Sequence, residues 1–266
     1  MRLGIVGYGR MGRWFAEKLK DHFEIGVYDI DPSKVKDFWG VVYSTLEDLV
    51  VNSDVILIAT PIDVTSEVLE DVREIVQRRG LRGKIIIDIA SLKGSIIPVL
   101  KKFPKSVKVC SVHPLFGRTA DSFKSRKIVV IPVDGRCEDC KFVIDLFSLL
   151  GADIVIADPE FHDRTVAVTI ALPYFIGLLY GYFVCREGVR KLEKFAGPSF
   201  KRLISHTREI LDDSDELVFS LLNSRHSRVA IRKFLNFACQ LLDAVKNIHE
   251  LSSLLKNLRE NLSRSR

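Results

Sequence analysis

The chain opens Gly4-Ile5-Val6-Gly7-Tyr8-Gly9-Arg10-Met11-Gly12, an apolar run leading through a G-x-G-x-x-G spacing into a helical pattern. Residues of these types at this spacing bind anions. Gly7 permits a tight turn, Gly9 lets a phosphate approach the backbone, and Gly12 lets the helix pack close to the strand. The helix start then offers unpaired N–H groups and the positive end of its dipole. Gly7, Tyr8, Gly9, Arg10, Met11 and Gly12 are therefore the expected cradle of a dinucleotide pyrophosphate. A glycine turn without a ligand is the alternative, and the strand-then-helix context favours the cradle. The next apolar run ends at Asp29. A carboxylate there accepts both ribose hydroxyls of NAD and repels the 2′-phosphate of NADP, so NAD is the expected cofactor. Arg10 is the residue that could favour NADP.

Three later apolar runs also end in polar residues: Thr60-Pro61, then Asp88-Ile89-Ala90-Ser91-Leu92-Lys93-Gly94, then Ser111-Val112-His113-Pro114-Leu115-Phe116-Gly117. If these strands lie parallel to the first, Thr60, Pro61, Ser91, Lys93 and His113 emerge on the edge where ligands of such sheets bind. Thr60 and Pro61 are expected to line the nicotinamide side. A histidine at that edge can act as a general base near neutral pH. A serine within reach can orient it or a substrate hydroxyl. By residue type alone, His113 fits equally well as a loop histidine without a role.

The elements that must position these groups follow from hydrophobic patterning. Residues 3–6, 25–28, 55–59, 85–89, 107–112, 128–132 and 154–157 read as strands, mostly continuous in Val and Ile as strands buried on both faces must be. Helical patterns alternate with them over 10–20, 63–78, 95–102 and 137–149. The expected fold is α/β: a Rossmann-type doubly wound parallel sheet over residues 1–158. An all-helical substrate and dimerisation domain over 159–266 is expected after it, with helices over 161–186, 189–211, 215–222 and 225–259. The last residues, 261–266, are expected to fray.

Composition narrows the class. Of 266 residues, 47% are hydrophobic, enough for a packed core. The net charge of +6 forms no single run and accompanies no nucleic-acid-reading motif, so no nucleic-acid partner is expected. The apolar stretch 166–184 contains Pro173 and glycines and is bounded by charged residues. It reads as a helix buried at a domain or dimer interface, not a membrane span. With no signal peptide before the first strand, a cytoplasmic protein is expected. The five cysteines are scattered. Cys137-Glu138-Asp139-Cys140 has no second pair or histidines to complete a zinc site, so no metal is expected.

The D-x-x-S-x-K and H-P-L-F-G blocks carry a resemblance, together with the glycine loop, Thr60-Pro61 and His162-Asp163-Arg164. The chain resembles the prephenate/arogenate dehydrogenases, hydride-transfer enzymes of tyrosine biosynthesis. The likeness extends to about Val245 and weakens after Ala171. It implies NAD-dependent oxidative decarboxylation of prephenate to 4-hydroxyphenylpyruvate, or of arogenate, in a homodimer without fused mutase, dehydratase or regulatory parts. His113 would be the base at the ring hydroxyl. Ser91 would bond His113 or that hydroxyl, and Lys93 would hold cofactor or substrate. Two positions depart from the family pattern. Tyr174 stands where a histidine is usual, and Glu209, with Arg208 beside it, stands where an arginine binds the ring carboxylate. Tyr174, Lys201 and Arg208, with His206 in support, are the candidates for the substrate side. His162, opening a helix beside Asp163, is expected to cap it or to reach toward the domain interface, with the structural role favoured. The rival readings are an imine reductase-like dehydrogenase and a non-catalytic NAD-binding dimeric sensor.

Overall fold

A computed structural model describes residues 1–117 and 119–263. The chain forms two compact units, Met1–Val166 with Asp212–Leu221, and Ala167–Leu211 with Leu222–Arg266.

The first unit alternates strands and helices: β1 (Arg2–Val6), α1 (Arg10–Leu19), β2 (Glu24–Tyr28), β3 (Val41–Val42), α2 (Leu46–Asn52), β4 (Val55–Ile58), α3 (Ile62–Arg78), β5 (Ile85–Asp88), α4 (Ile96–Lys101), β6 (Lys108–Pro114), β7 (Lys127–Ile131), α5 (Lys141–Leu149), β8 (Asp153–Ile156) and α6 (Pro159–Val166). Among the described residues the strands form one sheet in the order β3-β2-β1-β4-β5-β6-β7-β8. Successive strand residues point to opposite faces, and both faces are buried. Ile5, Leu57 and Ile87 pack with Phe15, Val27 and Phe147 on one side. Val6, Ile56, Ile58 and Ile86 pack with Leu69, Val72 and Leu100 on the other. This is why the strands read as continuous apolar runs.

Two strands depart from the all-parallel expectation: β7 runs antiparallel to β6, and β8, parallel to β7, shares its reversed direction. A parallel return needs a crossover, usually a helix. The link from β6 to β7 forms none among its described residues, so the chain turns back beside itself. Two elements also went unforeseen. β3 is two exposed residues, too short to show a pattern. α2 did carry a start signal: the Thr45 hydroxyl accepts the Asp48 N–H at 3.0 Å, with Glu47 and Asp48 in the first turn.

Residue 158, the expected boundary, sits at the start of α6, where Asp158 accepts the Phe161 N–H at 2.9 Å. α6 itself belongs to the first unit. Beyond it, Ala167–Ala171 forms a wide π-type turn leading into α7 (Leu172–Glu187). Pro173 lacks an N–H and its ring crowds the carbonyl four residues back, which favours such widening. The remaining helices are α8 (Val189–Glu193), α9 (Pro198–Leu211), α10 (Asp215–Asn223), α11 (Arg225–Ala244) and α12 (Ile248–Ser263). The expected helix over 189–211 is thus broken before Pro198, and that over 225–259 is broken at residues 245–247. The last three residues of the expected frayed tail, 264–266, lie outside the described residues. Within the second unit α7 and α9 approach closely through glycines. A Cβ at Gly177 would lie 2.5 Å from Ile210, and one at Gly181 would lie 2.4 Å from Thr207. The Thr207 hydroxyl donates to the Gly177 carbonyl at 2.8 Å.

Leu69 of α3 is fully buried against the sheet. Leu69→Ala should destabilise the protein by about 2–5 kcal/mol. The measurement is a fall in the denaturation midpoint with the slope of the transition unchanged.

Candidate active site

The pairs Val6↔Ile58, Ile58↔Asp88 and Asp88↔Ser111 align the carboxyl ends of β1, β4, β5 and β6. The glycine loop, Thr60-Pro61 and the Ser91–Lys93 segment follow the ends of β1, β4 and β5, and His113 lies on β6 two residues past Ser111, so they share one sheet edge. β1 has β2 on one side and β4 on the other, which makes it the point where strand order reverses. Ligands of open α/β sheets bind beside that point.

The glycine loop has the geometry its sequence implied. Gly7 adopts φ +92, and its N–H bonds the Tyr28 carbonyl at 2.8 Å. A Cβ on Gly12 would lie 2.0 Å from the Gly7 carbonyl oxygen. A Cβ on Gly9 would meet no atom within 4 Å. Packing within the chain therefore requires Gly12 but not Gly9, and the bare backbone at Gly9 fits the close approach of a phosphate. Gly9 caps α1 without a side-chain hydrogen bond, so the first-turn amides are not taken by a capping side chain. Asp29 ties the loop down. Its Oδ2 accepts the Tyr8 N–H at 2.7 Å and its Oδ1 accepts the Asp31 N–H at 2.9 Å, with the Lys34 ammonium at 3.5 Å. The residue expected to meet ribose hydroxyls thus also fixes the pyrophosphate loop. Tyr8 packs its ring against Phe38, with the Arg13 guanidinium 4.7 Å from the ring centre. Met11 is half-buried against the core. Arg10 is exposed, 3.5 Å from Asp213. Thr60 Oγ1 lies 2.9 Å from Thr65 Oγ1, and Pro61 precedes α3.

Lys93 corrects an expectation. Its side chain is 0% exposed, and Nζ donates to Asp88 Oδ1 and to the Val112 carbonyl, both at 2.7 Å. Burial pulls its pKa below the ordinary lysine value, and the Asp88 carboxylate opposes the shift. An ammonium engaged in this way braces β5 against β6; it is not presented to cofactor or substrate. Ser91 is half-buried in the loop after β5. The bond foreseen between Ser91 and His113 is absent among the described residues.

His113, 4% exposed, lies near the end of β6. Its Nδ1 is 2.9 Å from His162 Nε2, and His162 Nδ1 is 2.9 Å from Asp163 Oδ1. Asp163 also accepts the Lys93 N–H at 3.0 and 3.1 Å and the Gly94 N–H at 2.9 Å. Burial, then the Lys93 charge, then His162 hold the His113 pKa well below the usual histidine value. His113 is therefore neutral at pH 7, the form a base needs. His162, expected to serve structure, bonds directly to the candidate base. The adjacency of His162 and Asp163 at a helix start was the available signal, and the 49-residue gap to His113 concealed its target.

The second unit holds the other candidates. Tyr174 is half-buried on α7, and Lys201 is exposed on α9. The Arg208 guanidinium lies 3.3 Å from Glu193 in an exposed pair. His206 Nε2 is 3.1 Å from the Pro173 carbonyl, joining α9 to α7. Cys110 and Cys140 are buried and Cys137 is exposed. Among the described residues no group of three or more His, Cys, Asp or Glu could hold a metal ion.

Residues 15–156, more than half of the chain, match the family described as prephenate dehydrogenase, nucleotide-binding domain. A probable arogenate/prephenate dehydrogenase of Methanocaldococcus jannaschii is 25% identical over 256 residues, covering 91% of this chain and 56% of that protein. The T-protein of Haemophilus influenzae is 23% identical, covering 85% of this chain and 57% of that protein. The chain thus spans little more than half the length of these curated relatives. Among solved structures, prephenate dehydrogenase of A. aeolicus, crystallised with hydroxyphenyl propionate and NAD+, superposes with TM-score 0.82 at 19% identity, over 100% of this chain and 98% of that one. Arogenate dehydrogenase of Synechocystis superposes with TM-score 0.75 at 20% identity, over all of both chains. Both share the fold: a Rossmann-type unit with a helical unit. The dinucleotide loop, the polar strand ends and this match agree, and the chain belongs to the prephenate dehydrogenase family.

Proposed function

We propose that the protein catalyses NAD-dependent oxidative decarboxylation of prephenate, with His113 as the base at the ring hydroxyl. One observation carries this reading: a buried, neutral histidine stands on the same sheet edge as the glycine loop, with its Nδ1 engaged by His162. Its Nε2 is the nitrogen left to receive a proton. Bound NAD would take the hydride from the ring carbon bearing the hydroxyl, and departure of the ring carboxylate as CO2 would leave the ring aromatic. The Gly7–Gly12 loop and the start of α1 would hold the pyrophosphate, Asp29 the ribose, and Thr60 and Pro61 the nicotinamide side. Ser91 would orient the substrate hydroxyl. His113 would take its proton as negative charge develops on oxygen. Tyr174, Lys201 and Arg208 would serve the substrate's carboxylate and keto groups. Arg208 can do so because its exposed pair with Glu193 is weak and exchangeable.

Arogenate is the second reading, favoured by the relatives that bear that name. It differs from prephenate at the side chain, an amino acid in place of the keto acid. A non-catalytic NAD sensor is the reading that turnover would exclude. We assign the protein to the cytoplasm, as a homodimer without nucleic-acid or membrane partners. The helical run Pro159–Glu187 is long and apolar enough to cross a bilayer, and 22% of its most apolar window is buried within the chain. Tyr182 and Phe183 on that run, and Phe237 and Leu242 on α11, are exposed and suit a contact between second units of two copies.

NADH formation with prephenate and arogenate in parallel tests the assignment. The faster substrate names the enzyme; failure with both, while NAD binds, rejects it. His113→Asn should lower kcat about 10²–10⁴-fold. Because the His113 pKa is depressed, its base form persists into acid. The acidic limb of kcat/KM should therefore lie below the ordinary histidine value of about 6.5, and it should vanish in His113→Asn. The two glycines should separate fold from ligand. Gly12→Ala should lower the Tm, because its methyl meets the Gly7 carbonyl. Gly9→Ala should leave the Tm unchanged and raise the KM for NAD.

A further inference from the structure

We infer that His162 and Asp163 are positioning residues that hold His113 in the tautomer with its proton on Nδ1 and a bare Nε2. The inference rests on the proposed role of His113 as base and adds the groups that fix its protonation pattern.

The hydrogen bonds run outward from Asp163. Its two carboxylate oxygens receive the backbone N–H groups of Lys93 and Gly94 at 2.9–3.1 Å. Both are obligate donors, so the group that receives them is a carboxylate acting as acceptor. His162 Nδ1, 2.9 Å from Asp163 Oδ1, must then donate. A neutral imidazole carries one N–H, so a proton on Nδ1 leaves a lone pair on Nε2. His113 Nδ1, 2.9 Å from that lone pair, must donate in turn. The proton count of His113 is then complete, and its Nε2 is an acceptor. The order of donors thus runs from His113 to His162 to Asp163, with a negative charge at the far end. Positive charge arriving on His113 as it takes the substrate proton is stabilised through that chain, and no second proton need move.

The chain is built to be rigid. His162 is 3% exposed and Asp163 is 7% exposed. Asp163 also fastens the loop that carries Ser91 and Lys93. The same carboxylate therefore sets the position of one expected substrate contact and the tautomer of the base. An imidazolium at His162 would reverse the order of donors, placing the His113 proton on Nε2. That is the arrangement the experiment must exclude.

The test is the pair of ring-nitrogen ¹⁵N shifts of His113 in the ligand-free protein, in wild type and in Asp163→Asn. Wild type should show a protonated Nδ1 and a bare Nε2. In Asp163→Asn the carboxamide oxygen still receives the Lys93 and Gly94 amides, while its NH2 donates to His162 Nδ1. The donor order then inverts and the His113 proton moves to Nε2. With the better substrate, kcat should fall about 10²–10⁴-fold while the KM for NAD changes little. A purely structural role would lower the Tm without inverting the tautomer. A wild-type His113 protonated on Nε2 would overturn the inference, as would a tautomer and kcat unmoved in Asp163→Asn. The wild-type spectrum needs no variant to fold and no substrate to turn over, so it reads the relay even if the dehydrogenase assignment fails.

Discussion

The buried ammonium of Lys93 ties the candidate site to the sheet. It reaches from the loop after β5 to the carboxylate at the end of β5 and the carbonyl of Val112 on β6. An isolated charge in such a place would cost several kcal/mol, and pairing with hydrogen bonds offsets most of that. Such a pair adds little net stability but fixes geometry, because either charge left alone is strongly unfavourable. The consequence is a β5–β6 junction with one arrangement. Ser91 follows in the loop after β5, and His113 lies on β6 beyond the paired residues Asp88 and Ser111.

The second fastening is Asp163. Its α6 follows the last strand of the sheet, and its carboxylate takes the Lys93 and Gly94 amides across 70 and 69 residues of sequence. The loop is thus held from below by the side chain of Lys93 and from above by its backbone. His162 comes with Asp163 and reaches His113. The glycine loop is secured in the same manner by Asp29, whose carboxylate receives the Tyr8 amide. At each place a carboxylate receiving backbone N–H groups holds a loop that regular secondary structure leaves unpaired. The first unit carries its chemistry on loops, yet each is pinned by a buried or nearly buried group.

Much of this was legible in the residues. The glycine spacing gave the dinucleotide loop, because close backbone approach leaves few residue types free to vary. The strands of the first unit were visible since burial on both faces demands continuous apolar runs, and their polar ends marked the edge where His113 stands. Less legible were features that depend on contacts distant in sequence. The antiparallel β7 left no trace in its own composition, since Ile and Val suit either direction. The family resemblance implied that Lys93 holds cofactor or substrate. Only the tertiary structure showed Asp88 and Val112 around it. α2 is hard to read although Thr45 and Asp48 signal its start, because seven residues give too short a period to register.

The sequence by itself determined the class of fold and the cofactor loop, and its H-P-L-F-G block singled out the candidate base through the family resemblance. Each depends on local spacing, and spacing is written directly in the chain. Tertiary structure decided what those groups face. It converted His162 from a helix residue into the partner of His113, and Lys93 from a binding group into a brace. It also gave Asp29 a structural bond beside its expected role. The physical reason is common to all three. A side chain's hydrogen-bond partner is set by the crossing of elements 19 to 70 residues apart, and the donor or acceptor it meets there fixes its charge and the direction of its protons.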